Sequence, residues 1–214
     1  MKLLNTAWVI CGFLAVPGAA LAASTEVNTA VGAGQASASA ALVYTAPTQS
    51  DKYHHFVADT FSIESVVRAA AGAAILQGMN TPGEWGQGAE GYSKRFASDY
   101  AEHVIRQSLM FGASSALGED NRYFLSQRAG AGPRLSYALE STFLARTHSG
   151  HRRLSYSRIG SVVATAFISR TWQPRSTNGG HNAELSIISV FGAEAGFNVA
   201  REFLPRIFHT RTLQ

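Results

Sequence analysis

Between residues 59 and 203 apolar side chains recur at intervals of three and four, and this periodicity predicts five helices, at 59–78, 91–117, 133–147, 155–171 and 182–203. Asp59 or Thr60 is placed to cap the first, which Asn80-Thr81-Pro82-Gly83 ends. In the second, Tyr92, Phe96, Tyr100, Val104, Ser108 and Phe111 fall on one face, and Gly118 stops it. Pro133 suits the first turn of the third, with Leu135, Ala138, Leu139, Phe143 and Leu144 as its expected buried stripe. Pro174 and Pro205 follow the last two. The best strand candidate is 159–168, where Val162, Val163 and Thr165 have strand propensity but Gly160, Ala164 and Ala166 favour a helix. The expectation is an all-α bundle. Small residues four apart, Gly192, Gly196 and Ala200, Gly160 and Ala164, and Ala70 and Ala74, are expected to let helices approach closely there.

The region before residue 51 reads differently. Lys2, an apolar run over 3–16, the breaker Pro17-Gly18 and then Ala20-Leu21-Ala22 form the three parts of an export signal, with the mature chain expected to begin at Ala23. Residues 23–50, rich in Ala, Ser, Thr and Gly, read as a flexible leader, which leaves 51–214 as a single helical domain. Cys11 is the one cysteine and lies within the expected signal, so the mature chain is held by packing rather than by disulfides. Within 51–214 the longest uncharged run is 69–83, too short for a membrane span. The expected location is the bacterial periplasm or cell envelope.

Charge is unevenly distributed. Residues 51–120 hold five Lys or Arg against nine Asp or Glu, whereas 121–214 hold twelve Arg against four Glu. A basic half of this kind suits an anionic lipid or polyanion surface, or else it neutralises the acidic half across an interface. An envelope protein is another possible partner; nothing in the pattern points to nucleic acid. The densest basic segment contains Arg146, His148, His151, Arg152 and Arg153, with Arg158 one turn further on. Guanidinium forks match phosphate and sulfate oxygens, so these six residues form the candidate anion site, with the anion expected near Ser155 to Arg158 at a helix N-terminus. Its alternative is a solvated interhelical loop. His54-His55 and Glu102-His103 lack the spacing of a metal site, and no cofactor motif is present. Asp120-Asn121-Arg122-Tyr123-Phe124 is expected to lock a loop by ion pairing and stacking.

Two resemblances add to this reading. The succession Asp120-Asn121-Arg122-Tyr123-Phe124, Arg146-Thr147-His148-Ser149-Gly150, Gly160-Ser161-Val162-Val163-Ala164 and Arg201-Glu202-Phe203-Leu204-Pro205 resembles a group of uncharacterised exported bacterial proteins, which implies no activity. Ser149-Gly150-His151, Ser169-Arg170 and His181 with Glu184 resemble, in part, the membrane acid phosphatases related to vanadium haloperoxidases. That likeness implies His181 as nucleophile, His151 as acid and Arg170 as phosphate clamp. The chain departs from that family's pattern: its first motif is missing, His148 stands where a proline is usual, and Arg170 and His181 lie further apart.

The sequence therefore points first to a noncatalytic exported helical envelope protein, scaffolding or binding an anionic surface. A phosphoric ester hydrolase and a multispan envelope component are the alternatives.

Overall fold

The computed structural model describes residues 44–205, so the export signal, most of the leader and the last nine residues lie outside the described residues. Six α-helices and one short hairpin make up this part, and the architecture is helical. The first predicted helix, 59–78, is observed at Ile63–Gly78, and a further helix that was not predicted precedes it. Helix α1 (Gln49–Thr60) begins inside the expected leader, because Thr48 and Asp51 form a reciprocal capping box. Helix α2 (Ile63–Gly78) restarts at Ser62, whose hydroxyl accepts from the Ser65 N–H. Ser65 turns its own hydroxyl to the Thr60 and Ser62 carbonyls across the break.

Helix α3 (Gly88–Leu117) is the axis of the fold, 30 residues long and ended by Gly118 at φ 66°. The pair α1–α2 runs antiparallel to it: Lys52 reaches the Ser114 carbonyl, and Tyr92 the Ala70 carbonyl. Helix α4 (Ala131–Glu140) is shorter than expected. Instead of continuing to 147 the chain turns and forms β1 (Leu144–Arg146), which pairs antiparallel with β2 (Arg152–Leu154) in the register Leu144↔Leu154 and Arg146↔Arg152. Helix α5 (Tyr156–Ile168), capped by Ser155, then returns along α3 and ends in a single 3-10 turn, Ser169–Thr171. Helix α6 (Gly180–Phe203) packs on α5 and α4.

The interior differs from the expected one. Of the expected stripe of the third helix Ala138 is buried, beside Tyr137, and Leu144 is half-buried, whereas Leu135, Leu139 and Phe143 are turned outward and exposed. On α3 the aromatic row is only half covered, and the buried positions are Gly91, Arg95, Ser98 and Ser114. Small residues do line the α2 contact, but they are Ala69 and Ala73 rather than Ala70 and Ala74. Gly160 and Gly196 have no neighbouring atom within 4 Å of where a Cβ would stand, so those faces point away from the bundle. Fully buried polar side chains include Arg95, Glu119, Asn198 and Glu202, while the buried apolar ones are mostly alanines.

Candidate functional site

The hairpin divides the six residues of the basic segment. Arg146 and Arg152 face each other across the ladder and turn inward. Arg146 donates to the Gly150 carbonyl at 3.1 Å and lies over the rings of Tyr44 and Phe124. Arg152 bonds Ser141 Oγ at 2.9 Å, pairs with Glu140 at 3.3 Å and covers the Tyr137 ring at 4.3 Å. Arg158 is buried and donates to the Ser141, Thr142 and Asn121 carbonyls at 2.6, 2.9 and 2.7 Å. His148, His151 and Arg153 remain on the surface, although Arg153 also reaches the Leu117 carbonyl at 3.0 Å.

The seat expected at the N-terminus of α5 already holds an anion from the chain itself. The Glu119 carboxylate accepts from the Ser157 N–H at 2.9 Å, the Tyr156 N–H at 3.2 Å and the Ser157 hydroxyl at 2.6 Å. A helix N-terminus favours negative charge, and a buried Glu119 satisfies it. An external oxyanion therefore has no vacancy there.

The three residues of the phosphatase likeness are not gathered. His151 belongs to the hairpin before α5, whereas Arg170 follows that helix, whose 13 residues span about 20 Å. His181 is exposed at the start of α6, 3.7 Å from Glu184. Arg170 donates to the carbonyls of Ala166 and Thr177 and to Ser169 Oγ, so its fork is occupied locally. No group of three metal-ligating side chains occurs among the described residues.

A second concentration of charge, which the sequence reading did not single out, lies inside the bundle. Arg68 of α2, Arg106 of α3, Arg158 of α5 and Arg201 of α6 all act on Glu194. Burial pushes the Glu194 carboxyl up, but the four guanidiniums outweigh it and hold the group below the usual carboxylate range. Arg201 Nη1 is 3.6 Å from Glu194 Oε1 and 3.2 Å from Asn198 Oδ1. Asp99, Glu102 and His103 continue the cluster along α3. Burial, with Glu102 adding to it, raises Asp99 to about 7; burial and Arg106 lower His103 to about 4. The available sequence signal was the spacing of Arg95, Asp99, Glu102 and Arg106, which share one helix face.

No protein-family profile matches the chain, and no curated protein or solved structure is significantly similar to it.

Proposed function

We propose that this is a noncatalytic exported protein that works as a structural component attached to a membrane of the bacterial cell envelope. One observation carries the reading: polarity is inverted, with charged groups turned into the bundle and large apolar side chains turned out. Val66, Val67 and Ile75 of α2, Leu109 of α3, Val163 and Phe167 of α5 and Ile188 of α6 are all exposed. From Arg95 to Leu117, throughout α5, and on α6 beyond Glu184, no charged residue is exposed apart from half-covered groups that face the interior. Extensive outward apolar surface marks a contact with another apolar phase. Among the described residues no helix is long and apolar enough to cross a membrane. Attachment therefore works through the outward faces of the assembled bundle. His148, His151 and Arg153 add an outward basic tip suited to anionic headgroups. The amino-terminal export pattern supports the location.

Fractionation of cells making the full chain tests this. The protein should sediment with the envelope, stay there in high salt and be released by detergent. Recovery in the soluble fraction, or release by salt alone, would overturn the reading.

A further inference from the structure

A groove of about 450 Å³ runs along the outer side of α3. Ala97, Ala101 and Ile105 form its floor, and Lys94 starts the same row, so the groove follows the helix for about 16 Å at 1.5 Å per residue. Trp85 and Trp172 are its walls. Both are fixed from behind. Arg95 holds the turn that carries Trp85 through the Thr81, Pro82 and Gly86 carbonyls, and the Trp172 indole N–H donates to the buried Ser98 hydroxyl at 3.0 Å. Glu84 ties the two wall segments to each other, accepting from the Ser176 N–H at 3.1 Å and from its hydroxyl at 2.6 Å. These bonds preset the width of the groove.

Polarity changes along its length. At one end stand Glu84, Glu90, Lys94 and Arg175, all exposed, with Lys94 paired to Glu90 at 2.7 Å. Toward the other end lie Ala101 and Ile105, and beyond them the exposed Leu109, with no exposed charge as far as Leu117. A sugar or a peptide backbone would need polar partners along the floor, and Ala97, Ala101 and Ile105 supply none. The Ser98 oxygen already accepts from Trp172 and Gln173. A hydrocarbon chain needs no such partners. The length fits as well: one leaflet supplies about half of the roughly 30 Å hydrocarbon core of a bilayer, close to the reach of the groove. Tryptophan beside a charged end is the arrangement favoured at a membrane–water boundary. We propose that this groove seats one acyl chain of a membrane phospholipid, with the headgroup at the Lys94 end and the chain lying between Trp85 and Trp172 toward Ile105. The seat rests on the membrane reading above for its supply of lipid.

Trp8 is the only other tryptophan, so in a full chain carrying Trp8→Phe the fluorescence reports on this groove alone. That parent chain, solubilised in a maltoside detergent, is titrated with phosphatidylcholine brominated midway along one acyl chain, which quenches tryptophan on contact; the unbrominated lipid is the control. Quenching should saturate, and native mass spectrometry should find one phospholipid per chain. Ala101→Phe puts a ring on the floor and should weaken binding about tenfold or more. Ala116→Phe, the same change at an exposed position of α3 off the groove, should leave it unchanged. If Ala101→Phe loses helicity, Ala97→Phe at an exposed floor position repeats the test. Attachment is scored apart by sedimentation: Ala101→Phe should still pellet with the envelope, and a chain that is soluble yet binds one lipid would remove the attachment while keeping the seat. Quenching that grows with lipid fraction without saturating, or that is equal in the parent and Ala101→Phe, overturns the proposal. So does a dimer of the parent that Ala101→Phe converts to a monomer, which would give the groove to a second copy of the chain.

Discussion

Arg95 and Lys94 are adjacent cations on the same helix with opposite fates. Lys94 reaches back four residues to Glu90 on the surface, a pair that water largely screens. Arg95 is fully buried and donates to the Thr81, Pro82 and Gly86 carbonyls and to Gln77 Oε1, at 2.6 to 2.9 Å. It thus holds the turn between α2 and α3 by satisfying carbonyls that no α-helix uses. Replacing it with methionine keeps the volume but orphans those acceptors. Arg95→Met should therefore cost about 3 kcal/mol or more, read as a lower urea midpoint at unchanged slope. Gly91→Ala tests the same turn from the other side, because a Cβ there would overlap the Gly86 carbonyl; a loss of about 1 to 3 kcal/mol is expected. Gly196→Leu, by contrast, meets open space and should stay within about 0.5 kcal/mol of wild type in the same measurement. None of these differences is legible from residue type. Arginine beside lysine looks like a solvated face until tertiary contact delivers carbonyls from fourteen residues away.

Helix α3 combines two titrations of opposite sign. Asp99 has a folded-state pKa of about 7 against an ordinary 3.8, so the folded chain binds its proton more tightly, and stability falls as pH rises between those values. His103 has a folded-state pKa of about 4 against 6.5, so the folded chain prefers the neutral ring; stability is complete above pH 6.5 and is lost as pH falls toward 4. Across the shared window the two slopes oppose each other, each at most about 1.4 kcal/mol per pH unit. Asp99→Asn should therefore make stability rise with pH relative to wild type over this window, and His103→Gln should make it fall, in urea titrations at a series of pH values. Parallel curves for all three proteins would show that neither group is held as the geometry indicates. At this scale much was readable. Helix α3 was placed to within three residues at its start and correctly at its end, because Gly118 is a stop that needs no tertiary information. The capping box of Thr48 and Asp51 was present in the sequence but lay within a stretch whose composition suggested a leader. The hairpin was not readable: its strands are three residues each, too short for an alternating pattern, and the apolar spacing of 133–147 continues past the real end of α4 at Glu140.

At the scale of the whole molecule, periodicity located the helices but misjudged which faces turn inward. An apolar stripe fixes a helix in water by facing the core, and that assumption placed Leu135, Leu139 and Phe143 inside. Here the charged rows face one another and neutralise inside, Arg134 with Glu202 and Arg201 with Glu194, while the apolar rows face out. The halves of opposite charge seen in the sequence meet in part, Arg170 near Glu102 inside the bundle and Arg153 reaching Glu119 from the surface. Such an arrangement is stable when the surroundings of the outward faces are themselves apolar. Cells exporting the chain should yield a mature protein beginning at Ala23, and an intact mass that retains Met1 would remove the export step from this account. The outward faces permit a sharper measurement. Phe167 on α5 and Ile188 on α6 are each more than half exposed, so Phe167→Glu with Ile188→Glu should leave the circular dichroism of the detergent-solubilised protein unchanged. Placing two carboxylates in contact with lipid should cost on the order of 1 to 3 kcal/mol each, enough to move the protein from the envelope pellet toward the soluble fraction. The same pair of substitutions on a bundle bathed in water would make it more soluble without changing where it fractionates. Unchanged sedimentation with the envelope, at unchanged helicity, would therefore place these faces in water and assign the attachment to another part of the chain.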